Sequence, residues 1–120
     1  MKYKKMNKEI KAAWVAALRS GSYSRGTGYL RQRNDKGRLQ YCCLGVLCNL
    51  GAQAKNKWYE DSDLFYYDDN ESELPANVAK TAGISQDAES ILIDMNDGSG
   101  DYAGKSCGFK KIAAWIDKNL

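Results

Sequence analysis

Two arginines, two tyrosines and three glycines fall within residues 21–31, and Arg33 follows two positions later. An arginine fork grips phosphate oxygens in bidentate geometry. A tyrosine face stacks on a nucleobase. Glycine lets a ligand approach the backbone. Tyr23, Arg25, Gly26, Gly28, Tyr29, Arg31 and Arg33 bring these three ingredients together. The composition suits a nucleotide, a nucleic-acid strand or an acidic protein surface. It also suits a solvated loop whose tyrosines pack on the helix before it, and both readings stay open.

A second loop carries polar residues at Asn96, Asp97 and Lys105. Residues 98–106 approach a phosphate-binding P-loop, but that pattern needs a glycine five positions before Gly104, where Ser99 stands. Only fourteen residues follow Ser106, too few for the sheet that completes such a site. Backbone amides, Lys105 and the start of the last helix could still hold an anion, against the plainer reading of a capping loop. Residues 94–98 approach a calcium loop, yet its fifth and sixth positions are Gly98 and Ser99, which breaks the pattern.

Metal and covalent chemistry have little to work with. Histidine is absent, which removes the commonest general base and the usual partner of a Ser or Cys nucleophile. Cys42, Cys43 and Cys48 lack paired C-x-x-C spacing. Their apolar setting predicts buried, reduced thiols, with Cys107 alike. Carboxylates alone can catalyse, as in glycosidases, but residues 60–73 hold a loose acidic run typical of a solvated face. The sequence therefore predicts no enzyme, no metal and no cofactor.

At 120 residues the chain predicts a single globular domain over 1–120. Its net charge of +3 hides a segregation. Residues 1–59 carry thirteen Lys and Arg against two acids, and residues 60–101 carry twelve acids against one lysine. Such halves can neutralise each other in one fold, pair between subunits, or hold an anion. No apolar stretch follows the basic start, and none has membrane-spanning length. A cytoplasmic protein without membrane contact is expected.

The elements that must position these residues are read from periodicity. Ile10, Trp14, Ala17 and Leu18 form one helical stripe, with Asn7 as cap and Gly21 as stop, which predicts a helix over 8–20. Residues 29–42 flank a glycine-containing turn at 34–37 and predict a β-hairpin, with Leu30 and Leu39 facing inward. Residues 42–52 are apolar on every side, which predicts a buried central helix. Residues 55–73 read as irregular, with a short strand at 64–67. Leu74 and Pro75 open a further helix that Gly83 closes. Residues 87–96 form another helix, or a strand at 91–93. Phe109, Ile112, Ala113, Ile116 and Leu120 predict a last helix. The expected fold is α+β and mainly α: four or five short helices around helix 42–52, plus one hairpin over 29–42.

Several segments together resemble small phage and prophage proteins. They are Arg19-Ser20-Gly21 with Tyr23, Gly26 and Gly28 with Leu30-Arg31, and the run Cys42-Cys43-Leu44-Gly45-Val46-Leu47-Cys48-Asn49-Leu50. Leu74-Pro75, Ala82-Gly83, Asn96-Asp97 and Phe109 with Ile112-Ala113 continue the likeness. Asn49 stands where aspartate is expected, and the loop 96–109 is longer than expected. The resemblance implies a phage-type accessory protein in the cytoplasm of a bacterial host, countering host defence. It would do so by sequestering a nucleotide signal, often at the interface of a homo-oligomer, or by binding a host protein.

The combined expectation is a non-enzymatic protein that binds a small phosphorylated nucleotide, a cyclic nucleotide or ADP-ribose derivative. Arg25, Arg31 and Arg33 would neutralise phosphate, and Tyr23 and Tyr29 would stack on the base. Asn96, Asp97 and Lys105 would reach ribose or phosphate from the second loop. The first alternative is a protein-binding inhibitor acting through the acidic segment 60–73. The second is nucleic-acid binding through the basic half.

Overall fold

The computed structural model describes residues 3–51 and 58–120. Helix α1 (Lys8–Arg19) begins at Asn7, whose side-chain oxygen accepts the Ile10 N–H at 2.9 Å. Its inner stripe buries Trp14, Val15 and Leu18, with Ile10 and Ala17 partly covered. Strands β1 (Arg31–Arg33) and β2 (Leu39–Tyr41) form the expected hairpin in shorter form. Asn34 fixes its turn by accepting the Lys36 and Arg38 N–H groups, and Gly37 takes the left-handed conformation at φ 76°. Helix α2 (Cys43–Asn49) follows.

The single-hairpin expectation is corrected. A second hairpin, β3 (Trp58–Asp61) and β4 (Leu64–Tyr67), lies where residues 55–73 read as irregular. The strand expected at 64–67 is therefore half of it; residues 55–57 of that stretch lie outside the described residues. The two hairpins join through Gln32 opposite Leu64 into one antiparallel sheet of order β2-β1-β4-β3. Strand β3 evades sequence reading because it is an exposed edge strand whose acids mask the alternation.

The remainder is helical. Helix α3 (Ala76–Ala82) starts after Pro75 and closes on Gly83 at φ 79°. Helix α4 (Gln86–Asp97) is capped by Ser85 and stopped by Gly98, so residues 91–93 are helical and not a strand. A 3₁₀ turn at Gly100–Tyr102 leads to α5 (Phe109–Asn119).

The central-helix expectation also needs correction. Helix α2 is seven residues, with Cys42 and Leu50 as caps; residue 52 of the expected span lies outside the described residues. Two turns are too short to carry every neighbour. The most extensive helix packing joins α1 to α5, tied by Lys11 to the Asp117 carbonyl at 3.0 Å and by Tyr3 edge-on to Trp115. Helix α2 does sit fully inside, with Cys43 to Cys48 buried. Trp14 donates its indole N–H to the Cys43 carbonyl at 2.9 Å, tying α1 to α2.

One contact sets how closely α2 approaches the hairpin. A Cβ on Gly45 would fall inside the backbone carbonyl of Leu30. That carbonyl also accepts the Cys42 N–H at 3.2 Å. Only glycine permits the crossing. Alanine is the better helix former by about 1 kcal/mol, so any loss in Gly45→Ala reports the clash. We expect a loss of about 2–3 kcal/mol or more in urea denaturation. Unchanged stability would show that α2 and the Leu30 backbone separate freely.

Candidate functional site

The structure sorts the ten expected site residues into two places and leaves two outside both. Arg25, Gly26, Gly28, Asn96 and Asp97 meet in an internal hydrogen-bond lattice. Asn96 is fully buried at the end of α4. Its side-chain oxygen accepts the Cys43 N–H at 3.1 Å, and its amide donates to the Gly26 carbonyl and to Asp97, both at 2.9 Å. Asp97 in turn accepts the Gly28 N–H at 3.0 Å. Arg25 donates inward to the Asn96 carbonyl at 2.6 Å and to Ser106 at 3.4 Å.

This lattice encloses a void of only about 10 Å³, the scale of one water and not of a nucleotide. Gly26 is small for a structural reason. A Cβ there would lie 2.9 Å from the side chains of Gln32 and Gln40, because the loop crosses the β1–β2 hairpin. Tyr29 lies half-buried near Tyr66, whose hydroxyl is hydrogen-bonded to Glu71. Lys105 is exposed, and its side chain forms no hydrogen bond or ion pair among the described residues.

Tyr23, Arg31 and Arg33 belong to the second place. Strand alternation puts Arg31 and Arg33 of β1 on the sheet face that also carries Tyr41, Phe65, Tyr67, Trp58 and Glu60. There a cleft of about 450 Å³ opens between Arg31, Asn49, Trp58, Glu60 and Phe65. The Arg31 guanidinium lies 4.2 Å from the Phe65 ring centre, 5.1 Å from Trp58 and 5.6 Å from Tyr41. Its Nε is buried without a hydrogen-bond partner, and no ion pair among the described residues neutralises it.

The aromatic walls are braced edge to face. Trp58 meets Tyr67 at 5.0 Å and Phe65 at 6.3 Å, and Tyr23 meets Tyr41 at 4.9 Å. Asn49, at the end of α2, accepts the Trp58 indole N–H at 3.1 Å and donates to the Tyr23 hydroxyl at 3.0 Å. Arg33 pairs with Glu60 at 2.7 Å, and that hydrogen bond holds the Glu60 carboxyl below the usual carboxylate range. Burial pushes the Tyr41 hydroxyl up, against the pull of Arg31.

Sequence reasoning missed Tyr41, Asn49, Trp58, Glu60 and Phe65. The available signal was the same-face alternation of Trp58 with Glu60 and of Phe65 with Tyr67. In the sequence Asn49 stands out only as a departure from the expected aspartate.

A larger groove of about 640 Å³ runs between α1, the end of α2 and α3. Ile10, Ala13, Leu47, Leu50 and Val78 make its walls apolar, and no cation lines it among the described residues. Among the described residues, the cation that would orient an anionic ligand is in the smaller cleft.

Residues 6–120 match the family described as Domain of unknown function (DUF8296). The chain belongs to that family. No curated protein and no solved structure matches it. For this DUF8296 member, chemistry has to be read from its own side chains. Among the described residues no cluster of three or more His, Cys, Asp or Glu could hold a metal ion. No helix among them is long and apolar enough to cross a membrane.

The thiols are poor nucleophiles where they stand. Burial pushes the Cys42 thiol up to about 12 and raises Cys43 and Cys48 further above the ordinary range. At pH 8 a thiol reagent should label these three cysteines only after denaturant is added. Rapid labelling of any of them in the folded protein would show that α2 opens locally.

Removing the buried amide tests the lattice. Asn96→Ala leaves the Cys43 N–H and the Gly26 carbonyl without partners, at about 1–3 kcal/mol each. Urea denaturation should show a loss of about 3 kcal/mol. A loss below about 1 kcal/mol would mean that water replaces the amide.

Proposed function

We propose that this protein binds and sequesters a small phosphorylated nucleotide in the cleft at Arg31, without transforming it. The observation that carries the reading is the state of Arg31. Its guanidinium stands among three aromatic rings, with its Nε buried and unpartnered, at the wall of a cleft of about 450 Å³. That volume lies within the common range for small-molecule sites. Phosphate oxygens complete such a fork, and an aromatic wall such as Trp58 offers a base its stacking partner.

The roles expected from the sequence shift accordingly. Arg31 neutralises the phosphate; Trp58 and Phe65 replace Tyr29 beside the base; Tyr23 and Asn49 brace the wall. Arg25, Gly26, Gly28, Asn96 and Asp97 hold the loops in place. The absence of histidine and the raised thiols favour binding without catalysis. The resemblance to phage proteins gives the biological setting: a counter-defence protein in a bacterial cytoplasm, acting on a cyclic nucleotide or ADP-ribose-type signal. A homo-oligomer would cover the open side of the cleft with a second subunit.

A second reading is favoured by one specific observation. Tyr59 is 66% exposed on the outer face of the acidic β3–β4 hairpin, next to Tyr66. An exposed tyrosine among acids suits a basic protein surface, which is the protein-binding inhibitor. Nucleic-acid binding has less to draw on, since Arg25 donates inward and Arg33 is neutralised by Glu60.

Native mass spectrometry with a panel of nucleotide second messengers separates these readings. A retained, intact nucleotide is expected. Arg31→Ala should then weaken binding about tenfold or more, with Arg31→Lys unable to restore it fully, because the planar fork is lost. No adduct from any nucleotide would favour the protein-binding reading, and conversion to product would make the protein an enzyme.

A further inference from the structure

Three charged side chains gather near the Phe65 ring, and two of them are already matched. Glu60 stands opposite Phe65 in the β3–β4 register. Arg31 and Arg33 lie 4.2 Å and 5.4 Å from that same ring centre. Each nitrogen of Arg33 already makes one hydrogen bond: Nε and Nη2 donate to the Glu60 carboxylate at 2.7 and 3.4 Å, and Nη1 donates to the Gly37 carbonyl at 3.1 Å. The Arg31 side chain donates no hydrogen bond among the described residues. Among the described residues the cleft therefore offers one free positive charge, with a carboxylate fixed beside it as part of the wall.

We infer that this arrangement selects ligands bearing a single negative charge, the phosphodiester of a cyclic mononucleotide, over phosphomonoesters, diphosphates and triphosphates. The inference rests on the nucleotide reading above and narrows its ligand class. A phosphodiester monoanion is balanced by Arg31 alone. A second negative charge meets no unpaired cation among the described cleft residues and lies close to Glu60. Repulsion between like charges at such separations disfavours the dianion by about five- to tenfold near a protein surface. Glu60 acts here as a specificity residue: it removes Arg33 from the ligand's reach and repels excess charge.

The test is isothermal titration of the full chain with matched pairs: adenosine 3′,5′-cyclic monophosphate against 5′-AMP, and the guanosine pair likewise. At pH 7.5 the cyclic form should bind about five- to tenfold tighter. The 5′-monophosphate protonates near pH 6 to a monoanion. Its affinity should rise towards that of the cyclic form as pH falls to 5, where Glu60 remains ionised. Glu60→Gln keeps an acceptor for Arg33 but removes the charge. It should narrow the preference at pH 7.5, with circular dichroism confirming the fold. If no nucleotide binds, the nucleotide reading itself falls. If 5′-monophosphates bind as tightly as cyclic forms at pH 7.5, only the charge selection falls. A preference that persists unchanged in Glu60→Gln would overturn the role given to Glu60.

Discussion

The Asn96 amide is fully buried and makes hydrogen bonds to two separate stretches of chain and to its own neighbour. It accepts from the first residue of α2, donates to the loop at Gly26, and holds its neighbour Asp97, which takes the Gly28 N–H. Each of those backbone groups would otherwise be stranded in the interior at a cost of about 1–3 kcal/mol. The loop, the start of α2 and the end of α4 are therefore placed relative to one another by one side chain. Gly45 completes the constraint by letting Leu30 cross α2 at backbone contact. With α2 fixed against the hairpin, Asn49 at its far end is delivered to the open face of the sheet.

That face is where packing and electrostatics diverge. Towards α2 the sheet buries Tyr41 and Tyr67 in the core. Beyond them the same face carries Arg31, Arg33, Trp58 and Glu60, and the cleft opens there. Stacking over aromatic faces stabilises Arg31 by about 0.5–2 kcal/mol. It does not replace the hydrogen bond that Nε lacks. Arg33 differs only by lying two residues further along β1, where Glu60 and the Gly37 carbonyl are in reach. One strand thus presents a satisfied cation and an unsatisfied one side by side, and the contrast gives the cleft its chemical character.

Much of the helical framework was legible because its signals are local. Asn7, Ser85, Gly83 and Gly98 cap or stop their helices through bonds within a few residues, and the apolar stripes of α1 and α5 repeat at helical spacing. The first hairpin was legible because Asn34 and Gly37 fix a turn by themselves. The second hairpin was not. Its β3 strand is an edge with one partner, so only Trp58 of its four residues is even partly buried. The extent of α2 was overestimated because an apolar run reports burial and not length.

By itself the sequence determined an α+β chain with mainly helical elements, and a basic, aromatic, glycine-rich stretch whose residue types suit a phosphorylated ligand. It could not decide which of those residues remain available. Arg25, Arg31 and Arg33 are alike in composition, and their difference arises only from partners distant along the chain: Asn96 and Ser106 for the first, aromatic rings for the second, Glu60 for the third. The physical reason is that a guanidinium's reactivity towards an anion depends on whether its donors are already matched. Matching is a property of side chains brought together by tertiary structure, and local sequence carries no record of it.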